Sequence, residues 1–260
     1  MKIFDIHCHV FPDIVAPRII ESLESFYGFR WERTGTCPDL MESLDEADVE
    51  RAVVFSCATR PDQVRNINDY VASKASGRLI GFGTLHPDFR EFRQEIDRMR
   101  ALGLRGIKFH PDFQRFGFDD PVMFPIFEAI PPDMPVMVHA GDPKLDFSAP
   151  RRIAHVADLF PHLTLVAAHL GGFGVWDEAE RRLIGRNLWL DVSSTIGHLP
   201  AERAERLARA HGLDRVLFGS DYPSVSHAHA IAAVRTMNLS DSECEALFWK
   251  NACRLLSLPE

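Results

Sequence analysis

The chain has 260 residues, 46% hydrophobic and 25% charged, with a formal net charge of −8 at pH 7. That length suits one barrel-sized domain, and the balance suits a soluble globular protein. The acidic balance argues against a nucleic-acid partner, whose phosphates need a basic face, and no apolar run is long enough to cross a bilayer. Five cysteines, an odd number with no Cys-x-x-Cys pair, point to a reducing compartment rather than a disulfide framework. Met1-Lys2-Ile3-Phe4-Asp5 lacks the apolar core of a signal peptide, so a cytoplasmic protein is expected.

In chain order, short apolar runs at 2–7, 51–56, 79–85, 104–109, 135–139, 163–169, 188–192 and 215–220 read as strands. Most are continuous rather than alternating, the pattern of strands covered on both faces in a parallel sheet. Helices are expected between them, at 39–47, 61–75, 88–102, 121–130, 150–160 and 200–210, several opening on proline. A closing helix at 240–256 carries Ser240 as its cap, with Glu243 three residues on. The stretch between the first strand and residue 39 holds Phe11, Phe26, Tyr27, Phe29 and Trp31. It reads as a long aromatic βα-loop over the catalytic face, a lid or substrate wall. A loop with its own small core, or a dimer contact, fits it equally.

Six polar residues close these strands: His7, with His9 beyond it, then Lys108, His139, His169 and Asp221. α/β enzymes place their chemistry at the carboxyl ends of such strands. Strands lie about 4.8 Å apart, so an open sheet in chain order would separate the first and eighth by roughly 34 Å. His7, His9 and Asp221 then have no common ion. A closed (β/α)8 TIM barrel, one domain over 1–260 with the aromatic insertion after strand 1, brings them into one ring. His7 and His9, two apart, share a strand face, and neutral imidazole is a favoured zinc ligand. Gly171 and Gly172 let the chain leave the strand after His169. Asp221 is fit to ligate and to accept a proton.

The motifs Asp5-Ile6-His7-Cys8-His9, Gly106-Ile107-Lys108-Phe109-His110-Pro111, Val138-His139-Ala140-Gly141, Ala168-His169-Leu170-Gly171-Gly172, Leu190-Asp191-Val192-Ser193 and Phe218-Gly219-Ser220-Asp221-Tyr222-Pro223 follow in that order. Together they resemble the amidohydrolase superfamily, in the amidohydrolase-2 branch typified by aminocarboxymuconate semialdehyde decarboxylase. The resemblance implies a divalent metal, zinc first and manganese second, held by His7, His9, His139 and Asp221, with His169 as general acid or base. It also implies that Lys108 marks a choice. Carboxylated, it would bridge two ions, with His169 as a further ligand. Unmodified, it would leave one ion, the favoured count, and offer an ammonium to a substrate carboxylate or a structural pair with Asp5.

His86, His110 and Arg60 are candidate substrate contacts, and Asp191 a candidate orienter of a histidine. His227 and His229 read as a chance pair. The leading expectation is hydrolysis of a small amide, ester or lactone by metal-activated water, whose pKa falls from about 15.7 toward about 7. The alternative is non-oxidative decarboxylation of an unsaturated or aromatic carboxylic acid. A TatD-like nuclease ranks lower, because that family has a glutamate where this chain has Lys108. A small-molecule substrate and a homodimer are expected.

Overall fold

The computed structural model describes residues 1–260. Eight parallel strands, β1 (Phe4–His9), β2 (Arg51–Phe55), β3 (Leu79–Gly83), β4 (Gly106–Phe109), β5 (Val136–Val138), β6 (Leu165–Ala167), β7 (Trp189–Asp191) and β8 (Val216–Leu217), lie side by side in chain order. β8 then returns to β1. Ile6 N donates to Phe218 O at 3.0 Å, Asp221 N to His7 O at 3.0 Å and His9 N to Tyr222 O at 2.7 Å. The sheet is thus a (β/α)8 barrel, as expected from the strand-end residues. No helix is long and apolar enough to cross a membrane.

Two apolar layers hold it. Phe4, Ile6, Val53, Phe55, Phe82, Met137, Val166 and Leu217 fill the barrel, and Trp249, Cys253 and Leu256 of the C-terminal segment plug its base. A larger layer between strands and outer helices includes Cys8, Val10, Val54, Ile107, Val138 and Phe218.

The expected closing helix has three parts: Asp241–Glu245, a π-helical turn at Ala246–Lys250, and Asn251–Leu255. Its Ser240–Glu243 capping box forms as expected. The π turn has a visible cause: Leu247 O accepts a hydrogen bond from Phe218 N at 3.0 Å, outside the helix.

β1 departs from strict alternation. Its register with β2 shifts between Asp5 and Cys8. Phe4 and Ile6 face the barrel interior, whereas Ile3 and Cys8 face the outer layer. Alternation from Ile3 would send His7 outward. The bulge instead puts Ile6 and His7 both inside, and His7 and His9 meet the interior ring of Phe55 at 5.2 and 4.8 Å.

The aromatic insertion is not a plain loop. It contains α1 (Ala16–Tyr27), with Pro17 in its first turn and Gly28 closing it at φ 82°. α2 (Cys37–Glu46) follows, capped by Thr36. Pro17 and Gly28 were readable as start and stop signals. The end of α1 lies against the loops after β4 and β6, with Phe26 on Phe113 at 5.1 Å and Tyr27 on Phe173 at 5.8 Å.

The base plug sets a stability prediction. Trp249→Ala removes a buried ring that packs on Phe4. Denaturant unfolding should show a loss of about 3–5 kcal/mol. Ile14→Ser, at a side chain 95% exposed, should change stability by no more than about 0.5 kcal/mol.

Candidate metal centre

Barrel closure gathers the strand-end residues at one mouth. His7 Nε2 lies 3.2 Å from Asp221 Oδ1, and His9 Nε2 lies 3.5 Å from the same oxygen. His169 Nε2 lies 3.0 Å from His139 Nδ1. The His7 and His169 rings are 5.2 Å apart. His7, Lys108, His139 and His169 are all buried. Gly219 has no room for a side chain, since a Cβ there would meet His7 Cβ at 2.8 Å.

The opposite ring nitrogens decide the tautomers. His7 Nδ1–H donates to Asp191 Oδ2 at 3.0 Å, His139 Nε2–H to Gly141 O at 2.9 Å, and His169 Nδ1–H to Ser193 O at 2.9 Å. Each acceptor lacks a proton, so each of these nitrogens carries one. His7 Nε2, His139 Nδ1 and His169 Nε2 are left as lone pairs in the neutral rings. Two bare nitrogens facing each other at 3.0 Å repel unless a cation lies between or beside them. This donor set fits a divalent ion, and its outer supports are those that orient metal-bound histidines elsewhere.

Electrostatics keeps two of the imidazoles neutral and draws charge toward His7. Burial holds His9 and His169 at about 4. Burial and Lys108 pull His7 down, but Asp191 and Asp221 outweigh them and raise it. Burial alone would raise Asp221, yet His7 and His9 hold its carboxylate well below the usual range. Ser194 Oγ donates to Asp221 Oδ2 at 2.5 Å. The backbone is strained where these side chains turn inward, with φ of 60° at His169, 48° at Leu170 and 64° at Asp221. Trp176 Nε1 braces that turn through His169 O at 2.9 Å.

Lys108 Nζ sits 3.2 Å from His7 Nε2 and 4.7 Å over the Phe55 ring, and it forms no ion pair. Burial lowers its pKa. The alternative pairing with Asp5 is absent, because Asp5 faces outward and is committed to backbone amides and His227. His110 stacks on His139 at 4.0 Å and reaches Tyr27 Oη at 3.5 Å, so it lines the mouth. His86 accepts from Asp88 N at 3.2 Å within its own loop and bonds to none of the ligands. Arg60 makes no hydrogen bond to any of these residues. Its side chain is 65% exposed and paired with Asp62 at 3.1 Å, a nearer carboxylate than any substrate.

Several residues were missed or undervalued in the sequence. Asp191 does orient a histidine, and it also accepts from His169 N at 3.1 Å and Ser193 N at 2.9 Å. His227, read as a chance histidine, is buried against Asp5. Asp112 and Ser148 bond to each other beside His139. Only the Leu190-Asp191-Val192-Ser193 motif gave a signal for any of these. Metal-competent atoms lie within 4.8 Å of one another in three buried groups: His7–His169–Asp221, His110–Asp112–His139 and Asp5–Cys8–His227. The first has the lone pairs. The second needs His139 Nε2, whose proton faces Gly141 O. In the third, burial pushes the Cys8 thiol well up.

Asp191→Asn tests the tautomer argument directly. The Asn amide would donate to His7 Nδ1 and drive the ring proton to Nε2, the wrong tautomer for ligation. Nitrogen-15 spectra of the metal-free protein should show His7 Nε2 change from unprotonated to protonated. An unchanged spectrum contradicts the assignment.

No curated protein matches the sequence. Among solved structures, the chain is similar to 5-carboxyvanillate decarboxylase from Sphingomonas paucimobilis, with a TM-score of 0.75, 17% identity and 99% of each chain covered. It is similar to dihydroxybenzoic acid decarboxylase from a Polaromonas species, solved with manganese and the inhibitor 2-nitroresorcinol (TM-score 0.76, 16% identity, 98% of this chain and 97% of that one). A probable 2-pyrone-4,6-dicarboxylic acid hydrolase from Acinetobacter baumannii, with citric acid bound, gives a TM-score of 0.66 at 17% identity, covering 99% of this chain and 100% of that one. At these identities the likeness is one of fold. A family model described as Amidohydrolase matches residues 4–258, nearly the whole barrel, and with the strand-end motifs it establishes that the chain belongs to the amidohydrolase family.

Proposed function

We propose that this chain is a divalent-metal-dependent enzyme that removes CO2, without oxidation, from an aromatic or unsaturated carboxylic acid. One observation carries the reading: bare imidazole nitrogens and the Asp221 carboxylate converge beside a buried Lys108 that has no anionic partner. An unpaired buried ammonium is costly, and an acidic substrate supplies the missing charge. The similarity to two decarboxylases supports the same class.

His7 Nε2, His9 Nε2, His139 Nδ1 and Asp221 would hold one ion. When bound, that ion supplies Lewis-acid chemistry, polarising a substrate oxygen and lowering the pKa of water. Zinc is the expectation from the residue types. The manganese in the dihydroxybenzoic acid decarboxylase makes manganese the other ion to load.

Lys108 Nζ pairs with the substrate carboxylate. Tyr27, Phe113 and Phe173 form an apolar wall that excludes water from a flat ring. His169 is neutral at rest, since burial holds it near 4. Its conjugate acid is therefore a strong donor. Protonated at Nε2, His169 delivers that proton to the ring carbon bearing the carboxylate. The carbon–carbon bond then breaks, its electron pair returns to the ring, and CO2 leaves. One proton enters from water per turnover and restores His169.

Hydrolysis is the second reading, and the likeness to a probable pyrone dicarboxylic acid hydrolase favours it. There the same His169 would take a proton from water during attack on a lactone carbonyl.

The test is a panel of hydroxybenzoic and unsaturated carboxylic acids with metal-stripped protein reloaded with manganese or zinc, following CO2 release. One ion per chain and CO2 release with a dicarboxylated or hydroxylated aromatic acid are expected. His169→Asn should retain the ion and lose about 10²–10⁴-fold in kcat. Lys108→Met should act mainly on KM for the carboxylate. Ring opening of a lactone without CO2 selects hydrolysis, and failure to bind either ion contradicts both readings.

A further inference from the structure

Asp5 lies beside the ligand ring and outside it. Its carboxylate is fully buried. Oδ1 accepts His7 N–H at 2.7 Å, and Ser220 N–H lies 3.2 Å from Oδ1 and 3.1 Å from Oδ2. Oδ2 is also 3.3 Å from His227 Nε2. His227 Nδ1 is in turn 2.8 Å from Ser43 Oγ, on α2. One carboxylate thus joins β1, the turn after β8, the helix His227–Val234 and, through His227, α2.

The two amides it holds are not arbitrary. His7 N–H lies inside the β1 bulge, where pairing with β2 lapses between Asp5 and Cys8. Without an acceptor, a buried amide there would be left unpaired, which is destabilising. Ser220 immediately precedes Asp221, whose own N–H returns to His7 O at 3.0 Å. Asp5 therefore grips both sides of the seam at the points where the ligand side chains leave it.

We propose that Asp5 is a positioning residue for the ion site: it holds the bulge that turns His7 and His9 into the barrel and pins the turn that brings Asp221 to them, with His227 steadying the carboxylate. The inference rests on the metal reading above. It assigns Asp5 no contact with substrate or ion. The neighbouring Cys8 and His227 do not form a separate ion site, since every polar atom of this group already has a partner.

Asp5→Asn is the discriminating change. Its Oδ1 still faces His7 N–H but, without the charge, accepts it more weakly, and its Nδ2 brings a donor against the donor of Ser220. Two readouts are made on the whole chain. The first is amide hydrogen exchange on the metal-free protein. His7 and Ser220 amides should exchange about tenfold faster or more, while Ile6 N, held by Phe218 O, keeps its parental rate. The second is manganese affinity by competition with a chelator, which should fall about 10–100-fold, as for other residues that orient metal ligands.

Parental exchange and affinity in Asp5→Asn overturn the proposal. So does a uniform rise in exchange across the barrel, which would make Asp5 a general stabiliser. If Asp5→Asn does not fold, His227→Gln replaces it. That variant keeps both amide bonds and frees one side of the carboxylate, and it should lose affinity severalfold. Parental affinity there overturns the proposal. A parent chain that binds no ion overturns the metal reading alone, because the exchange arm still reports whether Asp5 pins these amides.

Discussion

The seam between β8 and β1 is the interaction on which the site depends. Three backbone hydrogen bonds, from Ile6, His9 and Asp221, close it. Each β-strand is short, β8 only Val216–Leu217, so the seam is not held by a long ladder. It is reinforced by the Asp5 side chain, which reaches across to accept from Ser220 N–H, while Phe218 N–H donates to Leu247 O and ties β8 to the C-terminal segment. Opening this seam would separate Asp221 from His7 and His9, whose contacts cross it. A site built from opposite ends of the chain exists only because the sheet closes.

The second constraint is proton bookkeeping in a buried space. Asp191, Gly141 O and Ser193 O can only accept, so they dictate where the histidine protons sit. The lone pairs are forced inward, and burial keeps His9 and His169 neutral. Lys108 adds a cation with no carboxylate of its own. A mouth with bare nitrogens, one carboxylate and an unpaired ammonium supports the proposed pairing of a cation with an anionic substrate. The strained φ values at His169 and Asp221 fall at side chains that line this mouth, as expected where geometry is held against local preference.

Much of this was legible in residue order. Continuous apolar runs ending in His7, Lys108, His139, His169 and Asp221 identify parallel strands and the face where chemistry gathers. What was not legible depended on tertiary hydrogen bonds. Alternation alone sends His7 outward, and nothing in Ile3-Phe4-Asp5-Ile6-His7 marks the bulge, because its acceptor for the freed amide is the Asp5 side chain. His227 looked like chance because its partner lies far away in sequence. Arg60 looked available to substrate, but Asp62, two residues on, takes it locally. In the insertion, aromatic content suggested a loop and hid α1, although Pro17 and Gly28 bracket it.

The most direct test of the central claim is an anomalous-scattering map from crystals of this chain grown with manganese. The account predicts one strong peak at the barrel mouth, about 2 Å from His7 Nε2, His9 Nε2, His139 Nδ1 and Asp221 Oδ1. A peak elsewhere, or none at saturating manganese with the His139 and His169 nitrogens still in contact, would contradict it.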